Sequence, residues 1–403
     1  VLPPEHGPHR HPPAAGDVQE NANNAPAVRF VNLLLQQAIE RGASDLHLEP
    51  RKNTVQTRMR IDGVLHETIS PSLNMYPAVT SRIKILNGLD ISEQRLPQDG
   101  RCRLEQQGID IRTSTLPTIY GEKVVMRLLD KSKLILELDE LGLEPFQQEL
   151  YREALKRPQS IILVTGPTGS GKTTTLYSGL SYVSTPEKNV ITVEDPVEYE
   201  LPNINQVQVK PAIGLSFANI LRAMLRQDPD IVMIGEIRDE ETGSIAVRAS
   251  LTGHLVLSSL HTNNAVAAIT RLMDMGIKPY LLASSLSLIM AQRLVRRICQ
   301  NCAAPYEPAE ATLQTLELPP DQTYYRGTGC NYCNHTGFRG RVGLMEMLPL
   351  SQKMQELVAN EASEASLWEQ AREENIMTLR QAGAKKVSRS LTTAEEVIAA
   401  TVV

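Results

Sequence analysis

The sequence predicts an α/β protein in which a doubly wound parallel sheet follows a smaller α+β domain. Between residues 158 and 296, apolar runs of strand length alternate with helix-compatible segments, the pattern of parallel strands joined by crossover helices. Between residues 28 and 130, apolar and polar residues alternate instead, and turn dipeptides separate the runs, which is typical of antiparallel strands. A glycine-rich segment directly follows the first apolar run of the α/β region, where such sheets bind ligands.

The start of the chain and its charge limit the class of protein. Residues 1–27 are rich in Pro, His, Asn and Ala, so we expect a flexible linker. Because the chain begins with Val rather than Met, we expect a fragment that lacks a preceding domain. No apolar run approaches the ~18 residues of a membrane-spanning helix, and no signal peptide is visible, which predicts a cytoplasmic protein. A net charge of −5 gives no overall basic footprint for nucleic acid.

Residues 28–130 are predicted to form the α+β domain. Apolar side chains recur at helical spacing from Val28 to Ile39, and Gly42 follows as a C-terminal cap. Two hairpins are expected, with turns at Asp62-Gly63 and at Gln107-Gly108. The predicted strands are Leu46–Leu48, 55–61, Arg101–Gln106, Ile109–Thr115 and Lys123–Leu128.

The rest of the chain divides into four predicted segments. A charged, helix-favouring connector covers residues 131–157, and the α/β domain covers residues 158–296. Residues 297–345 contain paired cysteines and several glycines, and residues 346–403 have a polar helical pattern. Within the α/β domain the predicted strands are Ile161–Thr165, Val190–Val193, Ile231–Ile234 and Leu255–Leu260, and helices are expected at Phe217–Arg226 and Thr242–Ser250.

The glycine-rich segment after Ile161–Thr165 matches the phosphate-binding pattern G-x-x-x-x-G-K-[ST]. Glycines let backbone N–H groups turn toward phosphates, and the following helix N-terminus adds partial positive charge. Lys172 can reach the β- and γ-phosphates, and the Thr173 hydroxyl can hold Mg²⁺. The predicted nucleotide-binding residues are Gly166, Pro167, Thr168, Gly169, Ser170, Gly171, Lys172, Thr173 and Thr174.

Two further apolar strands end in acidic residues. Val190–Val193 leads to Glu194 and Asp195, which we expect beside the strand of the P-loop, where carboxylates can bind Mg²⁺ or the attacking water. Ile231–Ile234 leads to Glu236, which is placed to polarise a water for in-line attack on the γ-phosphate.

Gly235 stands between the second of these strands and its acid. The sequence predicts that this small residue lets the backbone pass close to the phosphates. Many P-loop proteins have the Mg²⁺ aspartate here, so Thr173 and either Glu194 or Asp195 are expected to share the metal. Whether Glu194 or Glu236 is the general base stays open.

Two histidines flank the last predicted strand. His254 and His261 are seven residues apart, an odd separation that places them on opposite faces of a straight strand. They are therefore not expected to share a metal ion. One is expected to sense the γ-phosphate and the other to pack structurally.

Four of the five cysteines form two C-x-x-C pairs, separated by 27 residues. Four thiolates at this spacing are typical of a closed, tetrahedral structural Zn²⁺ site. The fifth, Cys102, has no partner in the sequence pattern and is expected to be a small core or surface residue. The predicted zinc ligands are Cys299, Cys302, Cys330 and Cys333.

Arginines are frequent in the first domain, and an ATPase that works between subunits needs cations delivered to the γ-phosphate. Arg112 shares a strand face with Asp110 and Ser114, which makes it a candidate for a residue acting on a neighbouring subunit. Arg222 and Arg226 lie on one helical face and could serve a shared interface.

With these motifs the chain resembles the secretion ATPases of bacterial type II secretion (GspE-like) and type IV pilus assembly (PilB-like). The resemblance covers residues 28–400 and includes the P-loop, the histidine segment and the cysteine pairs. The other matching motifs are Gly-Ala-Ser-Asp-Leu-His (42–47), Arg-Ile-Asp-Gly-Val-Leu (60–65), Leu-Pro-Gln-Asp-Gly-Arg (96–101), Val-Glu-Asp-Pro-Val-Glu (193–198), Leu-Arg-Gln-Asp-Pro-Asp-Ile (225–231) and Gly-Glu-Ile-Arg-Asp (235–239).

The resemblance implies a RecA-like P-loop domain, a PAS-like first domain and a zinc-binding C-terminal subdomain, with ATP, Mg²⁺ and Zn²⁺ as ligands. It implies a homo-hexamer in which the first domain docks on the nucleotide domain of a neighbouring subunit. The inner-membrane platform proteins of secretion or pilus machinery are the implied partners. Membrane association is then peripheral, at the cytoplasmic face, and belongs to the parent protein, because residues 1–27 cannot form the docking domain.

The resemblance also implies roles for single residues. Glu194 and Asp195 belong to an Asp box, and Glu236 is the Walker B glutamate. The implied His box contains His254 and His261. The arginines that the first domain supplies are Arg112 and Arg127.

Two other functions stay open at this stage. A RecA-like nucleic-acid motor would use the zinc subdomain and the arginines to grip DNA, but the acidic balance and the lack of interleaved basic and aromatic residues disfavour it. A nucleotide-dependent switch would bind partners with little hydrolysis, and steady-state phosphate release would distinguish it from a motor.

Overall fold

A computed structural model of the chain describes residues 25–130 and 137–401. These residues form two compact units, one on each side of the gap. We call them the first unit and the second unit. The predicted linker at 1–27 and the start of the predicted connector at 131–157 lie mainly outside the described residues.

The first unit is an antiparallel sheet with helices on one face. Its strands are hydrogen-bonded in the order β3-β2-β1-β6-β5-β4. In chain order its helices and strands are α1 (Ala25–Glu40), β1 (Asp45–Pro50), β2 (Val55–Ile61), β3 (Val64–Glu67), α2 (Tyr76–Leu86), β4 (Gln98–Leu104), β5 (Ile109–Thr118) and β6 (Gly121–Asp130).

The elements predicted for the first unit are confirmed. After α1 the Ala43 N–H donates to the carbonyl of Ala38 at 2.8 Å, which closes the helix where Gly42 was expected to end it. Both hairpins form, although the second turn already begins at Glu105. Alternation along β5 buries Ile109 and Ile111 against the helices and turns the intervening polar residues to the opposite face.

The second unit is built on a seven-stranded mixed sheet, which confirms the predicted α/β class. Strand order is β15-β12-β7-β11-β10-β8-β9, and only the pair β12–β15 is antiparallel. In chain order its helices and strands are α3 (Pro145–Leu155), β7 (Ser160–Thr165), α4 (Lys172–Val183), β8 (Val190–Glu194), β9 (Asn205–Gln208), α5 (Phe217–Met224), β10 (Ile231–Ile234), α6 (Glu240–Leu251), β11 (Leu255–Leu260), α7 (Ala265–Asp274), α8 (Pro279–Ser285), β12 (Leu286–Ile298), β13 (Ala303–Tyr306), α9 (Glu310–Thr315), β14 (Tyr324–Gly327), β15 (Phe338–Pro349), α10 (Gln352–Ala359), α11 (Glu364–Glu373), α12 (Leu379–Ser388) and α13 (Ala394–Thr401).

Helices of the second unit begin where local capping is available. The residues before α5, α6 and α7 are Ser216, Asp239 and Asn264, and each side chain accepts a hydrogen bond from the N–H three residues later. All six residues of β7 are buried, because helices cover both faces of the sheet. Because the strands from β12 to β9 run parallel, their carboxyl ends meet at one edge of the sheet. The loops after these strands form the candidate site.

One expectation about strand order is wrong. The strand that ends at Glu194 was predicted to lie beside the P-loop strand, but β11 and β10 lie between β7 and β8. Consecutive strands of a doubly wound sheet are joined by crossovers and need not be neighbours, so order along the chain did not determine order in the sheet. Among the described residues, no helix is both long and apolar enough to cross a membrane.

Candidate functional site

The P-loop is held against β12 by close backbone packing. Gly166 has φ +150°, and a Cβ atom there would lie 2.4 Å from the carbonyl oxygen of Gln292, so the turn requires glycine. The loop leads into α4, whose first residue is Lys172, and the Lys172 Nζ donates to the carbonyl oxygens of Gly166 and Pro167 at 2.7 and 3.1 Å.

The other predicted nucleotide-binding residues lie along the same loop and the first turn of α4. Three of them are exposed at the tip, and Ser170 is buried beneath it. The exposed residues are Pro167, Thr168 and Gly169. Gly171, Thr173 and Thr174 are half-buried, with the two threonines in the first turn of the helix. The arrangement presents a helix N-terminus and one amine to an anion.

The amine of Lys172 has an unusual protonation equilibrium. Burial lowers its pKa to about 8, the Glu236 carboxylate partly opposes this shift, and the Arg293 guanidinium adds to it. Lys172 thus lies within electrostatic range of one acid and of another cation, which is the charge pattern of a site for a polyanion.

Glu236 lies just beyond the carboxyl end of β10, between two basic side chains. Its Oε2 is 3.2 Å from Nε2 of His261, and its Oε1 forms an ion pair with Arg238. The side chain is only 17% exposed. Arg238 also approaches Asp195, at 3.7 Å. Arg238 was missed in the sequence analysis, although it belongs to the motif Gly-Glu-Ile-Arg-Asp.

Gly235 packs closely against the backbone of a neighbouring strand, and its predicted closeness to the phosphates stays a prediction. A Cβ atom at this position would lie 3.3 Å from the carbonyl oxygen of Val193 and 3.4 Å from the Cα of Glu194. The close approach is therefore to the neighbouring strand β8. It brings the ends of β8 and β10 together and so sets the spacing of their acidic residues.

Glu194 lies in a hydrogen-bonded cluster on the face of the sheet covered by α4. Its carboxylate accepts hydrogen bonds from Tyr177, from Thr192 at 2.7 Å and from Gln206 at 3.0 Å. Burial and the adjacent Glu194 raise the pKa of Tyr177, which keeps that hydroxyl a donor. With strands about 4.8 Å apart, β8 lies about 14 Å from the P-loop strand β7, and β10 lies about 10 Å from it. The strand that ends at Glu194 is therefore the more distant of the two from the P-loop strand.

The two histidines lie at opposite ends of the central strand β11. His254 precedes β11, and its Nδ1 is 2.8 Å from the carbonyl oxygen of Ala249, a local structural contact. His261 follows β11 and contacts Glu236. Of the two histidines, the structure thus brings His261 to the edge where the P-loop lies, and a role for it in sensing the γ-phosphate stays a prediction.

Two contacts missing from the sequence analysis close this edge. The Thr262 N–H donates to Oγ1 of Thr165 at 2.8 Å, which ties the loop after His261 to the end of β7. Arg293 of β12 donates to the Asn263 side chain at 3.1 Å. Both join residues that are remote in sequence but are brought together by the order of the strands β12, β7 and β11 in the sheet.

The candidate arginines of the first unit are neighbours. Arg112 on β5 and Arg127 on β6 are directly opposite cross-strand partners on the polar face of the sheet. In the second unit, Arg222 is ion-paired with Glu241, and Arg226 donates to the carbonyl oxygen of Arg222 at 2.6 Å. These contacts give the latter two arginines a role within their own unit.

The cysteine pairs converge at the ends of β12 and β15. The four Sγ atoms of Cys299, Cys302, Cys330 and Cys333 all lie within 4.8 Å of one another. The Cys299–Cys330, Cys302–Cys333 and Cys330–Cys333 distances are 3.9, 3.8 and 3.7 Å. Tetrahedral zinc at about 2.3 Å from each sulfur requires sulfurs about 3.8 Å apart. The cluster therefore fits zinc.

Hydrogen-bond donors surround the cysteine cluster, whereas burial raises the pKa of its Cys299 thiol to about 11. The N–H groups of Gly329 and Gly337 donate to Cys302 and Cys333, each at 3.3 Å. The Asn301 side chain donates to Cys330 at 3.3 Å and lowers the pKa of that thiol to about 6. By contrast, burial raises the pKa of Cys102 on β4, as expected for an unreactive packed thiol.

The comparisons with known proteins agree with this geometry. Residues 20–399 match the family model described as Type II/IV secretion system protein. The chain is 48% identical over 393 residues to the type II secretion system ATPase E of Vibrio cholerae. This alignment covers 96% of this chain and 78% of the relative. It is 50% identical over 390 residues to the type IV pilus assembly ATPase PilB of Myxococcus xanthus, with 95% and 69% covered.

Solved structures support the fold. The pilus retraction motor PilT with bound ADP superposes with a TM-score of 0.62 at 28% identity, over 91% of this chain and 95% of that one. The Legionella pneumophila ATPase DotB shares the fold with a TM-score of 0.67 at 19% identity, over 91% and 94%. The chain therefore belongs to the type II/IV secretion system protein family, together with the ATPases of type II secretion and type IV pilus assembly.

Proposed function

We propose that this chain is the ATPase subunit of a hexameric motor that powers assembly of a type II secretion pseudopilus or a type IV pilus. Its class as an ATP hydrolase follows from the family, and the site supplies the parts that hydrolysis needs. The chemistry of the proposal is carried by Glu236, whose carboxylate is held by His261 and Arg238 at the edge where the P-loop ends.

In the proposed reaction, the P-loop amides and Lys172 bind the β- and γ-phosphates. Glu236 takes a proton from water as the water oxygen attacks the γ-phosphorus, and the bond to the ADP oxygen breaks. Mg²⁺ would be held by the Thr173 hydroxyl and would neutralise charge on the phosphates. Of the two acids considered as the general base, Glu236 is favoured, because the oxygens of Glu194 already accept three hydrogen bonds.

We further propose that Arg112 and Arg127 act on a nucleotide bound by another copy of the chain. Mixing Arg112→Ala with Lys172→Ala protein tests this arrangement. Each variant alone is expected to hydrolyse ATP at least about tenfold more slowly than wild type. In a 1:1 mixture, about one site in four pairs an intact P-loop with an intact arginine, so about a quarter of the wild-type rate should return.

The control for this mixture combines two variants whose changes both lie in the subunit that binds the nucleotide. Glu236→Gln and Lys172→Ala both act within the subunit that binds the nucleotide, so mixing them should restore no activity. A mixture of Arg112→Ala and Lys172→Ala that stays as inactive as this control would overturn the shared site. All variants are compared at equal chain concentration after their assembly state has been measured.

The pKa of Lys172 predicts a pH dependence of nucleotide binding. The amine is half neutral at about pH 8, and a triphosphate binds its protonated form, so binding takes up a proton. We expect the Kd for ATP to rise above pH 8, toward about tenfold per pH unit. Fluorescent-nucleotide titrations between pH 7 and 9.5 measure this, with Lys172→Arg as a control that stays charged. A wild-type Kd that is flat over this range would contradict the assignment.

We propose that the cysteine cluster binds one structural Zn²⁺ through all four thiolates. No position is left for a substrate, so the ion would act as a crosslink within 297–345. The proposed setting is the cytoplasmic face of the inner membrane, with membrane association through platform proteins of the secretion or pilus machinery. Direct binding of nucleic acid is not part of the proposal.

A further inference from the structure

The polar face of the first unit carries a cross-strand row of arginines that contains one carboxylate. Backbone register places five residues side by side across β4, β5, β6, β1 and β2. In this order they are Arg101, Arg112, Arg127, Asp45 and Arg60. We call this set the arginine row. Three motifs that the proposed reaction leaves unused each contribute one member, namely Asp45 from 42–47, Arg60 from 60–65 and Arg101 from 96–101.

The row concentrates positive charge on one face of the sheet. Like charges directly opposite each other on neighbouring strands are destabilising, and Arg112 lies between Arg101 and Arg127. Four cations with one carboxylate give the row a net charge of +3. A cavity of about 470 Å³ opens over the part of the row from Arg101 to Asp45, and its charged lining residues are Asp45, Asp99, Arg101, Arg112 and Arg127. Guanidinium groups around a cavity suit a phosphate-bearing anion.

Asp45 is the buried member of the row. Its side chain is only 10% exposed, whereas that of Arg127 is 54% exposed. The Asp45 Oδ1 accepts a hydrogen bond from Nε of Arg127 at 3.0 Å, and Oδ2 accepts one from the Ser44 hydroxyl at 2.8 Å. Arg60 approaches Oδ2 at 3.7 Å. The carboxylate is thus fixed from three sides.

The hydrogen bond between Asp45 and Arg127 involves Nε of the arginine, which determines which of its nitrogens remain available for another acceptor. A bond to Nε fixes the plane of the guanidinium group and leaves the two terminal Nη nitrogens for another acceptor. A planar fork held in this way can contact two phosphate oxygens at once. A lysine has one nitrogen, so it cannot hold Asp45 and present a fork.

We propose that Asp45 is a positioning residue that orients Arg127 toward the terminal phosphates of a nucleotide bound by another copy of the chain. The inference rests on the proposed function, since it requires the arginines to act between copies. Asp45 itself touches no substrate. It sets the direction of the guanidinium group and balances one of the charges that converge there.

The experiment measures the effect of replacing Asp45 in a subunit whose own nucleotide site is inactive. Arg127→Ala protein supplies intact P-loops, and Lys172→Ala protein supplies intact arginines, so their 1:1 mixture is expected to recover about a quarter of the wild-type rate, as derived for Arg112. The Lys172→Ala partner is then made with a second change, either Asp45→Asn or Glu67→Gln. The Glu67→Gln control removes an exposed carboxylate that accepts a hydrogen bond from Gln56 at 2.7 Å on the same sheet, outside the row.

We expect Asp45→Asn in the partner to lower the recovered rate at least about fivefold, with the KM for ATP within about twofold. The KM should hold because the changed subunit is not the one that binds the hydrolysed nucleotide. Glu67→Gln should leave the recovered rate within about twofold. Arg127→Lys in the partner, which keeps the charge and Asp45, should lose as much as Asp45→Asn.

The outcomes separate this inference from the proposal it rests on. If the parent mixture recovers no activity, the shared site is wrong and the role of Asp45 fails with it. If the parent mixture recovers activity and Asp45→Asn leaves it unchanged, only the positioning role is overturned. Should Asp45→Asn lower the thermal midpoint of the protein by more than a few degrees, the Arg127→Lys partner decides, and full recovery with lysine overturns the inference.

Discussion

Replacing Glu236 by Gln is expected to lower the steady-state rate of ATP hydrolysis by at least about 100-fold while ATP binding is retained. The amide can keep contacts with His261 and Arg238, but it cannot accept the proton of the attacking water. The P-loop, Lys172 and the helix N-terminus are unchanged, so the Kd for ATP should stay within about threefold. Steady-state phosphate release and equilibrium binding of a fluorescent ATP analogue measure the two quantities.

A matched control for this substitution is Glu241→Gln. Glu241 is an exposed glutamate in the first turn of α6, ion-paired with Arg222. Its replacement should change the hydrolysis rate by less than about twofold, because exposed ion pairs contribute little. Hydrolysis by Glu236→Gln within threefold of wild type would exclude Glu236 as the base and leave Glu194, the other acid considered for this role.

For the proposed zinc site, replacing Cys330 by Ser is expected to prevent zinc binding and to unfold the segment that the metal would crosslink. Cys330 lies within 3.9 Å of Cys299 and within 3.7 Å of Cys333, so one lost thiolate opens the tetrahedron. We expect a local cost of at least about 3 kcal/mol, since the binding free energy of a structural zinc is folding free energy. Metal content by mass spectrometry and hydrogen exchange of residues 297–345 measure the change.

Cys102→Ser is the control for the zinc prediction. It changes the same chemical group at a half-buried position outside the cluster, and we expect full zinc content and a loss of stability below about 1.5 kcal/mol. Chelation of wild-type protein should reproduce the exchange pattern of Cys330→Ser. Unchanged protection of 297–345 after complete removal of zinc would show that the metal does not hold this segment.

Sequence reasoning succeeded where the signal was local. The strand before the P-loop, the glycines of the loop and the helix after it follow one another along the chain, and each has a conformational signature. The hairpin at Asp62-Gly63 and the cysteine pairs are similarly local. Strands β10 and β11 were predicted with their observed bounds, because buried parallel strands are short apolar runs between turns.

Elements that depend on distant partners were missed. The strand β12 begins at Leu286, directly after α8 ends at Ser285. The helix and the strand therefore follow one another with no Gly, Pro, Asn or Asp at their junction, and the combined segment has no single period. The position of β8 in the sheet was also wrong, since β10 and β11 come later in the chain yet lie between β7 and β8.

The same limit applied to the site. Glu236 and His261 were predicted as separate residues, and only the parallel register of β10 and β11 brings them together. The contact of Gln292 with Gly166 and the pairing of Asp45 with Arg127 join residues more than 80 positions apart. The sequence does contain a signal for the residues around Asp45, because Asp45, Arg60 and Arg101 all fall within the motifs that support the resemblance.

Phosphate release from Mg-ATP, measured on size-resolved assemblies of zinc-loaded wild-type protein, tests the central claim most directly. The claim is that each triphosphate is bound by one chain and that its cleavage needs arginines from another. We expect hexamers to release phosphate at least about tenfold faster per chain than monomers. Equal rates per chain in monomers and hexamers, or no hydrolysis in any assembly, would contradict it.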